Sequence, residues 1–409
     1  MRTYREVFRA PEFTPLFLTG SLQTAASTTS GLALGTLIYA ATGSPLLSAL
    51  SMFGPSLAQV VGAMALLSAA DRLPPRAAIT GLALFFGLGT AALALPGLPV
   101  AAVFAIVLSR GVAASLGGGV RYGLLNEILP RDGYLLGRSV LNMAGGTMQI
   151  CGYAVGGVLV TTLSPRGALL TAAALYGIAA AVARCGLSRR PPRAAGRPSI
   201  SETWRTNARL WSSVPRRYVY LALWVPNGLI VGCESLFVPY APRHAGLLFA
   251  FAACGMLIGD AVTGRFVPPH WRERLAAPLR LLLAAPYLIF APHPALPLAL
   301  AAVLLASIGF SASLLLQQRL MALTPEEMSG QALGLHSSGL LTMQGVGAAL
   351  AGAVAQHASP AAAMAVMATA SVAVTLALAP GLSPGHPRAG STGRRETTRP
   401  AVSDTPPRG

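Results

Sequence analysis

The chain alternates long apolar runs with short polar or proline-containing turns. Because a bilayer core requires about 20 apolar residues per helix, each run is a candidate transmembrane helix. The pattern predicts two sets of six helices, near 13–40, 46–68, 77–95, 98–120, 136–163 and 166–187, and near 217–240, 245–265, 276–291, 294–320, 330–357 and 360–380. The ninth helix is the least well defined, because Pro278, Pro286 and Pro292 crowd a short segment.

Two stretches, 125–157 and 320–352, match each other without a gap at a constant offset of 195 residues. In each, a short loop with a proline and an acidic residue leads into a long helix of small residues with one central amide. The matched positions are Leu125 and Leu320, Pro130 and Pro325, Asp132 and Glu327, Gln149 and Gln344, Gly152 and Gly347, and Gly157 and Gly352. Internal repeats are typical of membrane transporters. The alternative is chance similarity between two helices rich in alanine and glycine.

Composition supports lipid as the solvent and the positions of the arginines define the topology. Only 11% of the 409 residues are charged, whereas soluble domains carry about 25%. The net charge is +17, and every one of the 30 basic residues is an arginine. These arginines lie between the apolar runs, whereas a nucleic-acid-binding protein concentrates them on one folded face.

The positive-inside rule then orients the helices. With the N-terminus inside, the cytoplasmic segments hold Arg2, Arg5, Arg9, Arg72, Arg76, Arg131, those of 189–217 and 272–280, and those of the tail; the outer turns hold only Arg166 and Arg243. We therefore expect an all-α membrane protein of twelve transmembrane helices, N-in/C-in, in two six-helix parallel-repeat halves. The expected units are 1–187, a cytoplasmic linker at 188–216, a second half at 217–380, and a disordered cytoplasmic tail at 381–409.

Charged residues inside the predicted helices need an explanation, because a central charge costs about 2.5–3.5 kcal/mol to insert. Arg110 lies in the middle of the fourth helix, and Arg121 lies on nearly the same face. Arg110 is a candidate for coupling or for holding an anion, with a structural ion pair as the equal alternative. Glu234 and Asp260 are candidates for proton coupling, because carboxylates in a low dielectric can bind and release protons near neutral pH. For Asp260, a pair with Arg265 at the membrane edge is the alternative.

Uncharged polar residues recur in four of the predicted helices and suggest a central cavity. The candidates for lining it are Gln23, Asn142, Gln149, Asn227, His336 and Gln344. Hydrogen bonding between neighbouring helices is the alternative role for any one of them. Gly152, Gly156 and Gly157 in the fifth helix predict a close approach of another helix, and thus a seam at which helices slide or rock during transport.

Several motifs resemble the major facilitator superfamily. The loop from Asp71 to Arg76 is similar to its Gly-x-x-x-Asp-Arg-x-Gly-Arg-Arg signature, with Leu67 in place of the first glycine and Pro74-Pro75 in place of the central Gly-Arg. Gly264-Arg265, after the eighth helix, is a degenerate copy of this signature in the second half. Arg110 lies where the family often has a fourth-helix arginine. The run 152–157 resembles the fifth-helix motif of its proton-coupled exporters, with Tyr153 in place of proline, and 234–240 resembles actinobacterial members of that group.

The resemblance, which extends to about residue 380, implies a fold, an activity and site residues. It implies that Asp71, Arg72 and Arg76 form a cytoplasmic charge lock and that Arg110 takes part in coupling with an acidic partner. The first helix lacks the acidic residue that many relatives carry, so coupling rests on Glu234 and Asp260.

We expect a multi-pass carrier of the bacterial plasma membrane that exports a small hydrophobic or amphipathic compound against protons. The alternatives are a metabolite importer or facilitator and a transport-inactive scaffold. The expected partners are the lipid bilayer, a small-molecule substrate and protons, but no nucleic acid, and we expect a monomer. The sequence has no metal cluster, nucleophile constellation or phosphate loop. We therefore expect no enzyme, metal or cofactor, with the proton gradient as the energy source.

Overall fold

The computed structural model describes residues 4–66, 73–192 and 200–382, and the regular secondary structure in these ranges is entirely helical. The α-helices are α1 Tyr4–Phe8, α2 Phe13–Thr42, α3 Pro45–Leu66, α4 Pro75–Leu93, α5 Val100–Ile128, α6 Arg131–Thr162, α7 Pro165–Gly186, α8 Ile200–Ser212, α9 Val214–Ser235, α10 Phe237–Tyr240, α11 Ala245–Phe266, α12 Pro269–Ala284, α13 Leu296–Ile308, α14 Ala312–Ala322, α15 Ser329–His357 and α16 Pro360–Leu382. Three 3₁₀ helices are Ala285–Phe290, Gly309–Ser311 and Glu326–Met328. The tail expected to be disordered lies outside the described residues from 383 onward.

Ten helical segments of the described chain are long and apolar enough to cross a membrane. Two further predicted spans, α2 and α12 with the 3₁₀ helix that follows it, are helical but do not meet the same criterion. Helix α2 has 30 residues, or about 45 Å, but its serines, threonines and Gln23 lower its hydropathy. The all-helical membrane architecture is therefore confirmed, with ten spans that qualify on length and composition alone.

Two helices extend beyond the segments that apolar length predicts. Helix α5 continues to Ile128, and α6 already begins at Arg131. An apolar run gives the thickness of the membrane, whereas a helix continues until its backbone hydrogen bonds are interrupted. Pro130, in extended conformation, supplies that interruption between α5 and α6.

Prolines also explain the breaks in the second set of helices. The segment after α11 is an α-helix only to Ala284 and then a 3₁₀ helix that contains Pro286. Helix α9 ends at Ser235, the residue whose carbonyl the ring of Pro239 would contact in a continuous helix. Proline thus leaves each span helical but changes its hydrogen-bond pattern and direction.

The helices pack in a pattern that recurs along the chain. Helix α2 packs against α6 and α7, and α9 packs in the same way against α15 and α16. The pairs α3–α15 and α6–α11 join the first set of helices to the second. Because short turns reverse the chain, Tyr4 and Leu382 lie on one side of the bundle, the termini side, and the turns near 43, 164, 243 and 358 lie on the other, the turn side.

Glycines of the two matched stretches occupy corresponding packing positions. A Cβ atom on Gly152 would lie 1.8 Å from Thr28 Oγ1 in α2, and one on Gly347 would lie 1.8 Å from the carbonyl oxygen of Gly228 in α9. Next to Gly152, Gly156 packs against Thr29, whose hydroxyl donates to the Gly152 carbonyl at 3.0 Å. Glycine at these positions allows the backbones of α6 and α15 to reach their neighbours.

A second pair of glycines brings the two sets of helices into close contact near the turn side. A Cβ atom on Gly157 of α6 would lie 2.9 Å from the Cα of Gly246 in α11. The corresponding Gly352 of α15 would place its Cβ 2.7 Å from the Cα of Leu46 in α3. Nearby, the Ser44 hydroxyl donates to Gln356 Oε1 at 2.9 Å. The two sets of helices therefore meet in backbone contact at two corresponding points near the turn side.

Helix α8, within the segment predicted to be a linker, packs against the second set of helices. The Trp211 ring stacks on Trp224 with centroids 5.7 Å apart and lies 6.1 Å from Tyr220. Gln331 Nε2 donates to Asn207 Oδ1 at 3.0 Å. These contacts fix α8 to α9 and α15 at the termini side.

Candidate functional site

A cavity of about 530 Å³ lies among α2, α4, α5, α6 and α7. Its lining on α2 runs from Leu16 to Thr28, the part of that helix nearer the termini side. The described residues that line it are Leu16, Thr19, Gly20, Gln23, Thr24, Ser27, Thr28, Ile79, Leu82, Phe86, Ala114, Gly117, Gly118, Arg121, Tyr122, Gln149, Tyr153 and Tyr176. The volume is in the range of small-molecule sites, and none of these lining residues is acidic.

Arg121 is the charged residue among those lining residues. Its Nη2 donates to Gln23 Oε1 at 3.0 Å, and it forms no ion pair with a described carboxylate. Arg121 is partly exposed and lines the cavity, so its guanidinium group is accessible from the cavity. The glycines Gly117 and Gly118 leave space beside it on the same helix.

The termini-side part of the wall is aromatic and positively charged. Tyr122 donates its hydroxyl to Asn142 Oδ1 at 3.0 Å, and the guanidinium of Arg138 lies 5.1 Å from the centroid of the Tyr122 ring. Of the predicted cavity residues in the first set of helices, Gln23 and Gln149 line the cavity, and Asn142 contacts it through Tyr122. Arg138, which does not line the cavity, places a second cation against Tyr122, the residue that follows Arg121.

Arg110 does not line the cavity but lies behind its aromatic wall. Its guanidinium carbon is 5.9 Å from the Phe86 ring centroid and 5.8 Å from that of Tyr176. Its Nη2 donates to the Tyr176 hydroxyl at 3.4 Å, and its Nε is buried without a partner. The contacts of Arg110 therefore position Phe86 and Tyr176, which face the cavity.

The polar residues predicted in the second set of helices contact neighbouring helices. Gln344 Nε2 donates to Asn227 Oδ1 at 3.3 Å across the interface of α9 and α15. The backbone carbonyl of His336 accepts from Trp224 Nε1 at 3.1 Å, and the His336 Nδ1 is buried without a partner. Asn227 and Gln344 thus make the helix–helix hydrogen bond that is the alternative role for such residues.

Glu234 is buried at the turn-side end of α9, with 7% of its surface exposed. The Tyr287 hydroxyl faces its carboxyl group but does not form a hydrogen bond of ordinary geometry. Tyr153 stacks on Phe249 with centroids 4.7 Å apart and packs against the core cluster that includes Cys233, next to Glu234, and Tyr287. Because Tyr153 also lines the cavity, it connects the cavity with the surroundings of Glu234.

The remaining predicted charged residues are distributed over the termini side. Asp260 is partly buried in α11 and pairs with no described side chain; in particular, it forms no ion pair with Arg265. Of the loop expected to form the charge lock, Asp71 and Arg72 lie outside the described residues, and Arg76 is partly buried at the start of α4. Among the described residues, no group of three or more His, Cys, Asp or Glu side chains is placed to hold a metal ion.

The cavity-lining residues that the sequence did not single out are Tyr122, Tyr153 and Tyr176, and among the arginines of this helix it favoured Arg110 over Arg121. The signal for Arg121 was the preceding run Gly117-Gly118-Gly119, because glycines on a helix leave space beside a long side chain. The tyrosines had no such signal, because an aromatic residue in an apolar helix packs in the core as readily as in a cavity.

Comparison with solved structures gives the same architecture. A POT family transporter in complex with a thioalcohol-conjugated peptide superimposes with a TM-score of 0.73 at 11% identity, over 91% of this chain and 96% of that one. The nucleoside transporter NupG gives 0.75 at 14% identity, over 90% and 99%. A bacterial homolog of the human lysosomal transporter Spinster gives 0.69 at 14% identity, over 92% and 96%. At these identities the likeness shows the fold alone.

The sequence itself was compared with known families and with curated proteins. No curated protein matches the chain. The family model of the Major Facilitator Superfamily matches residues 16–322, which is most of the chain and includes every helix that lines the cavity. This match shows a transporter and not an enzyme. The chain belongs to the Major Facilitator Superfamily.

Proposed function

We propose that the protein is a proton-coupled secondary transporter that exports a small hydrophobic or amphipathic compound. The observation that carries this proposal is the cavity of about 530 Å³ on the termini side, beneath the backbone contacts that close the turn side. A carrier that works by alternating access needs one site that is closed from one side of the membrane at a time. The combination of apolar, hydroxyl and amide groups on the wall suits an amphipathic compound.

In this proposal, all twelve predicted helices cross the bacterial plasma membrane, and the termini side faces the cytoplasm. The arginine-rich segments lie on that side, which supports the orientation through the positive-inside rule. The two halves, 1–187 and 217–380, rock about the α3–α15 and α6–α11 contacts, and the present arrangement is the inward-facing state in which an exporter loads its substrate. The superimposable Spinster homolog is itself described as inward-facing and unoccupied.

Proton coupling in this proposal depends on Glu234 and Asp260. Both are acidic residues within membrane-spanning helices, and neither pairs with a described cation. An uncompensated carboxylate in such a position is a candidate for a proton carrier. Tyr153 couples substrate binding to proton transfer, because it lines the cavity on one side and packs against the cluster of Cys233 and Tyr287 beside Glu234 on the other. The loop of Asp71, Arg72 and Arg76 is proposed to lock the cytoplasmic side in the outward-facing state.

The test is transport into proteoliposomes under an imposed pH gradient, with a panel of amphipathic dyes and antibiotics. Movement of any compound that follows the gradient supports a proton-coupled carrier. Movement that is insensitive to the gradient supports facilitated diffusion instead, and the absence of movement across the panel counts against export of amphipathic compounds.

We predict that Glu234→Gln lowers gradient-driven accumulation by about tenfold or more while exchange of labelled substrate at equal pH continues. The amide retains the size and the hydrogen-bonding capacity of the carboxyl group but cannot carry a proton. Glu327→Gln, at an exposed position outside the spans, is the matched control and should transport normally. An unchanged response to the gradient in the Glu234 variant would assign the coupling to another residue.

A further inference from the structure

We infer that the substrate carries an anionic group, a carboxylate or a sulfonate, that binds to Arg121 inside the cavity, next to an apolar body that binds to the aromatic wall. This inference rests on the proposed transport function and specifies its substrate class. The reasoning begins with the charge balance of the cavity. Arginine remains protonated in proteins, yet Arg121 has Gln23 as a partner and no described carboxylate.

The hydrogen bonds of Arg121 leave most of its donors available. A guanidinium group has five N–H groups, and the bond of 3.0 Å to Gln23 Oε1 uses one of them. Gln23 thereby fixes the orientation of the guanidinium plane without neutralising its charge. The free edge of an oriented guanidinium matches the two oxygen atoms of a carboxylate or sulfonate.

A comparison with Arg110 shows that the two arginines of α5 differ in their access to the cavity. Both arginines are on α5, but Arg110 is enclosed by Phe86 and Tyr176, and its Nε is sealed in protein. Arg110 thus has aromatic faces as partners, whereas Arg121 faces open space. Of these two intramembrane cations, only Arg121 is placed to meet a ligand.

The surroundings of Arg121 favour an anion over a cation and provide a place for an apolar body. No described residue of the lining is acidic, and Arg138, above the Tyr122 ring at 5.1 Å, adds positive potential on the termini side. Phe86 and Tyr176, further along the cavity, offer aromatic surface to a planar hydrophobic group. An aromatic acid satisfies both parts of the site.

The experiment measures binding of two matched pairs of probes to the full-length protein in nanodiscs, with empty nanodiscs as the background. The pairs are naphthalene-1-acetate with naphthalene-1-acetamide, and toluene-4-sulfonate with toluene-4-sulfonamide. The acid and the amide of each pair have nearly the same shape but differ in charge. We expect the wild-type protein to bind at least one acid about tenfold or more tightly than its amide, because a charge-assisted bidentate contact is lost in the amide.

Variants then assign the preference to the residue. Arg121→Gln should reduce acid binding to the level of the amide and leave amide binding unchanged, which also shows that the cavity is intact. Arg121→Lys should keep part of the preference, because it retains the charge but not the planar fork. Arg184→Gln, on the exposed surface of α7, should bind as the wild type does. Equal binding of acid and amide in both pairs, or a preference that persists in Arg121→Gln, would overturn the inference.

Transport by the same preparations separates this inference from the proposed function. Gradient-driven movement of neutral compounds, with no preference for the acids, would leave the transporter standing and overturn the anion site. Acid-selective binding that depends on Arg121, without gradient-driven movement of any probe, would support the anion site and count against proton-coupled transport.

Discussion

Replacing Gly347 by alanine is expected to destabilise the folded protein by about 3 kcal/mol or more. The new Cβ atom would lie 1.8 Å from the carbonyl oxygen and 2.5 Å from the carbonyl carbon of Gly228 in α9. These are backbone atoms, so no side-chain rotation relieves the overlap, and α9 and α15 must move apart. The separation also removes packing along a buried interface that includes the Asn227–Gln344 hydrogen bond.

The measurement is thermal unfolding in detergent, followed by size-exclusion chromatography of a fluorescent fusion. Gly334→Ala on the same helix is the matched control, because nothing lies within 4 Å of its added Cβ. That control should be as stable as the wild type or up to about 1 kcal/mol more stable, since alanine favours the helix. If the two variants unfolded at the same temperature, the close approach of α9 and α15 would be wrong.

Replacing Gly246 by alanine is expected to open the turn side. Its Cβ would lie 2.5 Å from the Cα of Gly157 and 2.9 Å from the Tyr153 carbonyl oxygen, both in α6. The overlap occurs only where α6 and α11 are in contact. It therefore destabilises the state that is closed on the turn side and does not affect the state that is open there. A penalty of about 1–3 kcal/mol shifts the equilibrium between the two states roughly 5- to 150-fold.

Double electron–electron resonance spectroscopy, with one spin label at Arg166 and one at Arg243, measures this shift. Both residues are exposed on the turn side, one on each set of helices, and the native cysteines are replaced first. The distance distribution should move to longer values in Gly246→Ala, and transport should fall because the closed state is rarely reached. Gly264→Ala on the same helix, with open space around its Cβ, should match the wild type. A wild-type distribution in Gly246→Ala would refute the role of this contact as a seal.

The matched glycines of the repeat make two kinds of packing contact. Gly347 and its counterpart Gly152 hold helices together within one set, whereas Gly157 and its counterpart Gly352 lie on the contacts between the sets. Substitution at the first pair is therefore expected to lower the stability of the folded protein. Substitution at the second pair is expected to shift the equilibrium between its conformational states. The matched offset of 195 residues predicted that the two stretches are related, and their contacts give each position its role.

The sequence by itself determined the membrane architecture, the positions of nearly all helices and the superfamily. These properties depend on local physics, because lipid demands apolar runs of sufficient length and proline or glycine ends a helix where backbone hydrogen bonds are interrupted. Helix α11 was predicted at 245–265 and is observed at Ala245–Phe266. The prediction failed mainly where helices continue beyond the membrane, as at Ile128 and Arg131.

Only the tertiary structure decided which polar residues face a cavity. Arg110 and Arg121 lie on nearly the same face of one helix, yet the first lies against Phe86 and Tyr176 and the second lines the cavity. Asn227 and Gln344 pair with each other across two helices that are distant in the sequence. A side chain's partner is set by the neighbouring helix and its rotation, and helical periodicity gives a face but not the element that it meets.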